Sequence, residues 1–238
     1  MFYIFYFIYE IKRWMRDPLT AFLLTYPLVL AAIGRFLIAG GRLGTDLTPY
    51  YPIILIALSM ITAKITGVLA AFSILDDRDD KIFYAVRVAP LSFDFYMGLK
   101  LFITYLFSFA GTAFVMWFSN LATLPAGVIV SISLLAALGA PLSALLINCM
   151  ASNKIEGFAA VKALNALIIF PIVSLFFTDA KEFIFSFEPS FWPAKALNQT
   201  IIKKDIFQLS YNGYYFIGLA YVVILSIITY QIFKRKMQ

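Results

Sequence analysis

Ile74-Leu75-Asp76-Asp77-Arg78-Asp79-Asp80-Lys81 decides how this chain is read: an apolar run enters it, another follows soon after, and charge is unbroken from Asp76 to Lys81. Hydrocarbon does not accommodate so dense a block of charge. It must lie in water on one side of a membrane, at the end of one spanning helix and before the next. With Pro90-Leu91-Ser92 just downstream, the segment reads as a lever by which something outside the membrane could move the spans.

The composition around the block agrees. The 238 residues are 62% hydrophobic, with mean hydropathy +0.88. Only 13% are charged, against roughly 25% in soluble domains. Stretches of about 20 apolar residues, enough to cross about 30 Å of hydrocarbon, recur along the chain. The expectation is an all-α polytopic membrane protein, with 1–238 forming a single transmembrane domain. There is no histidine, and Cys149 is the single cysteine, so no disulfide and no Cys/His metal cluster can be built within the chain. A net charge of +6 would suggest nucleic acid in a soluble protein. Here the basic residues sit at span ends, where orientation explains them and no nucleic-acid partner is needed.

Toward the amino terminus, Ile4, Phe7, Ile8, Ile11, Trp14 and Met15 keep the spacing of one helix face, with Glu10, Arg13 and Asp17 on the other side. This predicts an amphipathic interfacial helix over 1–17, ended by Asp17-Pro18. Its apolar run precedes the basic residues and no small-residue cleavage site appears, so it does not read as a signal peptide. Six spans are expected at 19–38, 52–75, 101–118, 125–149, 158–177 and 214–233. Pro27, Pro141 and Pro171 inside them read as kinks.

Two connections have structure of their own. In 76–98, Ile82, Phe83, Val86 and Ala89 keep a helical stripe that Pro90 stops, and Ser92 can cap the next helix with Asp94 in its first turn. This is a short coupling helix between spans two and three. The segment 178–211 carries Phe183, Phe185, Phe187, Phe191 and Trp192, broken by Pro189 and Pro193. Two readings stand: outer interfacial or re-entrant helices between spans five and six, or an aromatic belt at the lipid headgroups.

Lysine and arginine positions set the orientation. With the amino terminus inside, eleven fall on the cytoplasmic side: Lys12, Arg13, Arg16, Arg78, Lys81, Arg87, Lys100, Lys154, Lys234, Arg235 and Lys236. Six fall outside: Arg35, Arg42, Lys181, Lys195, Lys203 and Lys204. This excess favours both termini in the cytoplasm.

No Gly-x-x-x-x-Gly-Lys-Ser/Thr loop occurs. If ATP drives this protein, another polypeptide binds it. The acidic block is then judged as a contact surface. On a helix Asp77 and Lys81 make a favourable pair while Asp76 and Asp80 repel. A basic partner would explain the surplus; so would a solvated loop whose acids face the positive ends of helices. Within the spans, Lys162 is near enough to the surface to snorkel. Lys64 sits near the midplane, where a lysine costs about 2.5 to 3.5 kcal/mol on insertion scales. No acidic residue lies at comparable depth in these spans, so Lys64 must face the bundle interior, a wet cavity, backbone carbonyls or another subunit. It either lines a substrate path, flanked by Thr62 and Thr66, or serves a structural subunit contact.

These features together resemble the permeases of type 2 ATP-binding-cassette exporters. The resemblance covers the whole chain: a connecting helix ending in Arg16-Asp17-Pro18, six spans, and an acidic-Arg-acidic motif followed by Pro90-Leu91-Ser92. Tyr26-Pro27-Leu28, Arg35-Phe36-Leu37, the run 75–80, the run 151–158 and Phe191-Trp192-Pro193-Ala194-Lys195 look like the subgroup of fluoroquinolone-type drug export permeases. Aspartates stand here where that subgroup more often has glutamates.

The resemblance implies a half-transporter in a bacterial cell membrane. Two permeases, identical or different, would pair. Each would dock a cytoplasmic ATPase, which holds the ATP and Mg, through Asp76, Asp77, Arg78, Asp79, Asp80, Lys81, Pro90, Leu91 and Ser92, and secondarily through Asn153, Lys154 and Glu156. Phe187, Phe191, Trp192 and Pro193 would belong to an outer gate, and the cargo would be an amphipathic drug, peptide or lipid. An ion-coupled secondary transporter would call for paired repeats or membrane carboxylates. A membrane-embedded enzyme would call for a histidine-bound metal, an acidic pair within a span, or a serine or cysteine activated by such a group. The sequence displays none of these.

Overall fold

The structure is a computed structural model describing residues 2–41, 46–88, 92–202 and 208–237. Every element among them is helical. Six helical stretches are long and apolar enough to cross a membrane: Pro18–Ile38, Thr48–Asp79, Phe93–Phe118, Ala126–Met150, Lys154–Ser174 and Tyr211–Met237.

Local chemistry sets the boundaries. Helix α1 (Phe2–Arg16) ends at Asp17, whose carboxylate accepts the Thr20 N–H at 2.9 Å and caps α2 (Pro18–Ala32), with Pro18 in the first turn. A π-helical turn, Ile33–Ile38, completes span one. Span two is α3 (Tyr51–Asp79), entered through the 3-10 turn Thr48–Tyr50. The short helix expected between spans two and three is α4 (Ile82–Val88). As expected, Ser92 Oγ accepts the Phe95 N–H at 3.2 Å to open α5 (Phe93–Phe118), which is span three. Pro90 and Leu91, and the stop assigned to Pro90, lie outside the described residues.

Span four is α6 (Ala126–Ala137) followed by α7 (Gly139–Met150); span five is α8 (Lys154–Ala166) followed by α9 (Ile169–Ser174). The breaks fall at Leu138, before Pro141, and at Leu167-Ile168, before Pro171, next to the carbonyl four residues ahead of each proline, that of Ala137 or Leu167. The ring clashes with that carbonyl and the proline lacks the N–H that would bond it. Pro27, by contrast, leaves α2 continuous. A 3-10 turn (Ala180–Phe185) and α10 (Phe191–Ile202) lead to α11 (Tyr211–Met237), span six.

Helix α3 is the axis of the bundle, packed against α7, α5, α2, α10 and α8. It crosses α7 closely at Gly67, where a Cβ would lie 2.6 Å from the Ala140 carbonyl oxygen. At one end of the bundle Lys234 of α11 pairs with Asp94, and Arg78 reaches Met237. There α1 docks through Trp14, which packs on Leu69 and Ile103 and donates to Ser73 Oγ at 3.1 Å. Helix α1 and the carboxy-terminal turn of α11 both lie at this end, called the terminal end below.

The structure corrects the span limits there. Helix α3 continues one turn past Leu75, and α5 starts eight residues before Leu101. The connection assigned to 76–98 therefore contracts to a charged turn, α4 and the Ser92 cap.

Candidate functional site

The charged block sorts itself by helical phase. Residues 76 to 79 still belong to α3, so successive side chains point about 100° apart. Asp77 turns inward and is fully buried. It pairs with Arg13 of α1 and Lys100 of α5 and accepts the Tyr96 hydroxyl at 2.7 Å. Lys100, itself fully buried, also pairs with Glu10 at 3.1 Å and donates to the Ser73 carbonyl at 3.2 Å. Burial lowers the Arg13 pKa, yet Asp77, joined by Glu10 and Tyr96, more than offsets this and holds the guanidinium above its usual range.

This arrangement overturns two expectations. Asp77 cannot belong to a contact surface, because it is sealed inside the bundle. Nor does it pair with Lys81: the helix ends at Asp79, Asp80 caps it, and Lys81 adopts φ 58°, which swings it out of the i, i+4 register. Lys100, counted among the basic residues of the cytoplasmic side, is a buried cation of the core.

The remaining block residues face outward or bind across the terminal end. Asp79, Asp80 and Lys81 are exposed. Asp76 pairs with Lys154 at 2.8 Å, and Arg78 donates to the Ala151 carbonyl at 2.8 Å. The two segments singled out as docking elements thus meet. Arg78, Lys81, Tyr84 and Ser152 line a single concavity of about 340 Å³. Within the second segment, Asn153 and Glu156 cap each other's ends: Asn153 Oδ1 accepts the Glu156 N–H at 3.0 Å, and Glu156 Oε2 accepts the Ser152 N–H at 2.7 Å. Ser92 is exposed beside its cap.

At mid-bundle Lys64 does have an acidic partner, contrary to expectation. Glu188, from the link between the 3-10 turn and α10, reaches in and pairs with it. Its other oxygen accepts the Ser190 N–H at 2.6 Å. The aromatic segment folds into the bundle rather than over it, which brings an acid counted as extramembrane down to Lys64. The pair lines a cavity of about 230 Å³ with Leu142, Leu146, Leu167 and Phe187 among its walls. Thr62 and Thr66 are not in that lining. They stand two residues from Lys64, on the opposite helix face, and donate to the Leu58 and Thr62 carbonyls at 2.8 and 3.0 Å.

Of the residues expected at an outer gate, Phe187 is exposed, while Phe191, Trp192 and Pro193 are buried. Trp192 lies against α11 where a Cβ on Gly218 would come 2.4 Å from its own Cβ. Beside it Lys195, read from sequence as an outer charge, is buried and pairs with Glu182 at 2.7 Å. Burial pushes the Lys195 ammonium below the usual lysine range, and Glu182 offsets part of that. Tyr214 donates to the same carboxylate.

A family model described as "Fluoroquinolones export permease protein Rv2686c-like" matches residues 10–230. The chain belongs to this export permease family. The match includes Glu10, Arg13, Asp77 and Lys100 at the terminal end and Lys64 with Glu188 at mid-bundle. Two curated relatives are the Fluoroquinolones export permease protein MT2760 of Mycobacterium tuberculosis (strain CDC 1551 / Oshkosh) and the Fluoroquinolones export permease protein Rv2686c of strain ATCC 25618 / H37Rv. Each is 33% identical over 198 residues, covering 79% of this chain and 78% of the relative. No solved structure matches the chain. Membership of an export permease family, with six helices long and apolar enough to span, makes this a multi-pass membrane transport protein.

Sequence reading of this permease missed Glu10, Lys100, Glu182 and Glu188 as internal partners. A signal was present. Glu10 is the one acid of α1 and directly follows the apolar run from Phe2 to Tyr9, and Glu188 ends an aromatic run beside Pro189.

Proposed function

We propose that this chain is the membrane-spanning subunit of an ATP-binding-cassette exporter. A second permease subunit completes the path, and separate cytoplasmic ATPase subunits bind ATP and Mg. In this reading α1 lies in the membrane interface, the terminal end faces the cytoplasm of a bacterial cell, and the link from 178 to 211 forms the outer gate with Phe187, Phe191, Trp192 and Pro193. The relatives' names state fluoroquinolones, and amphipathic molecules of that kind are the proposed cargo.

The observation that carries the reading is the meeting of two distant segments around one concavity at the terminal end. The exposed turn Asp79-Asp80-Lys81 stands at its edge, and the Asp77 cluster ties that turn to α1, α3 and α5. Force applied to the turn would be transmitted to three helices together, because paired buried charges resist separation. The sequence lacks a phosphate-binding loop, so an ATP-driven cycle requires a partner at such a surface.

The test is co-purification. An Asp79→Lys, Asp80→Lys variant, co-expressed with its ATPase, is expected to retain at least tenfold less ATPase at an unchanged membrane level. Equal retention overturns the docking assignment.

A further inference from the structure

The Lys64–Glu188 pair differs from the other buried charges. Asp77 and Lys100 each have several partners within continuous packing, and Glu182–Lys195 is closed by Tyr214. Lys64 and Glu188 instead stand at the wall of a cavity whose other lining is mainly apolar. They also belong to separable elements. Lys64 is fixed at mid-span on α3, whereas Glu188 lies on the non-helical link between the 3-10 turn and α10. The pair can part without breaking a helix.

We propose that Lys64 and Glu188 form an exchangeable ion pair that selects zwitterionic amphipaths. The carboxylate of the cargo takes Lys64, its amine takes Glu188, and its apolar body fills the cavity between the leucines and Phe187. This rests on the exporter reading above and identifies what its central site recognises.

The selectivity follows from charge conservation. Separating a buried pair leaves two uncompensated ions, which is strongly unfavourable. A zwitterion replaces one internal pair with two intermolecular pairs and leaves no orphan. A singly charged molecule satisfies one partner and strands the other, so the site rejects it. Fluoroquinolones bearing a ring carboxylate and a basic piperazine have both charges, at opposite ends of an apolar ring system. At about 230 Å³ the cavity is below the roughly 300 Å³ lower bound of ordinary ligand pockets. A ligand spanning the two groups must push the link carrying Glu188 away from α3, so binding widens the site.

The experiment compares a piperazinyl fluoroquinolone with its carboxyl ester, which keeps only the amine. Wild type and a Lys64→Met, Glu188→Gln variant are assembled with the ATPase in everted vesicles. ATP-dependent uptake of the acid is expected to fall at least tenfold in the variant, while ester uptake is unchanged or rises. A fall in both together, or in neither, overturns the proposal. Should that variant fail to assemble, the swapped Lys64→Glu, Glu188→Lys variant retains a buried pair and is expected to keep selecting acid over ester; loss of selection there overturns it equally. Binding to the detergent-solubilised permease, read by the drug's own fluorescence, separates the two readings. Pair-dependent binding without ATP-driven uptake overturns the exporter reading alone. Uptake of the acid that is indifferent to the pair overturns this inference alone.

Discussion

Asp77 is fully buried among Arg13, Lys100 and the Tyr96 hydroxyl. Replacing it with alanine would leave Lys100 with Glu10 as its one carboxylate partner and release Arg13. Breaking a buried ionic cluster by removing one member costs about 3 to 5 kcal/mol. Asp77→Ala is therefore expected to lower the unfolding temperature sharply in detergent, whereas Asp79→Ala, at an exposed position, should change stability by less than about 0.5 kcal/mol. Equal losses at the two positions would show that the block acts through its total charge rather than through one buried member. The block marked the end of an apolar helix in the sequence, and α3 does end there, with Asp79, Asp80 and Lys81 exposed. Its inner half was not legible, because Glu10, Arg13 and Lys100 come from distant segments and only the fold brings them to Asp77. Lys64 posed the same difficulty: its cost was evident, but its partner Glu188 lay in a segment assigned outside the bilayer.

Among the elements, α3 and its neighbours set the shape of the molecule, and their close approach depends on a missing side chain. Gly67 lets α3 approach α7 so nearly that a Cβ would sit 2.6 Å from the Ala140 carbonyl oxygen and 2.8 Å from the Ser143 Cβ. Backbone cannot yield as a flexible side chain would. Gly67→Val should prevent normal packing of spans two and four and reduce the folded yield in the membrane at least several-fold. Gly98, in the second turn of α5, has nothing within 4 Å of an added Cβ. Gly98→Ala should stabilise by about 0.5 to 1 kcal/mol, the usual gain within a helix. Tolerance of Gly67→Val would mean that this crossing is not the bundle's fixed contact. At this scale part of the punctuation was readable in advance: the stop at Asp17-Pro18, the Ser92 cap and the breaks before Pro141 and Pro171 follow from local stereochemistry, whereas Pro27 leaves α2 continuous. The course of α10 was not, since Pro189 and Pro193 mark interruptions without saying whether the chain turns toward lipid or into the bundle.

The whole molecule exposes apolar side chains such as Phe22, Phe102, Phe216, Ile224 and Ile228 on its long helices, as suits a body surrounded by hydrocarbon. Its two ends differ in basic charge. The eleven-to-six count used Lys100 and Lys195, and both prove to be buried in ion pairs. Setting these two aside leaves ten basic positions against five, so the bias on which orientation rests does not depend on them. An impermeant maleimide can test it on a Cys149→Ser background, since Cys149 is the sole cysteine. Lys181 has a side chain 71% exposed in the connection between spans five and six, and Asp80 is exposed at the terminal end. Lys181→Cys should label on intact cells, and Asp80→Cys only after the membrane is opened. Labelling of both from one side would contradict the odd number of spans separating them. The reverse pattern would turn the terminal end outward, where no cytoplasmic ATPase could reach the turn at Asp79 and Asp80.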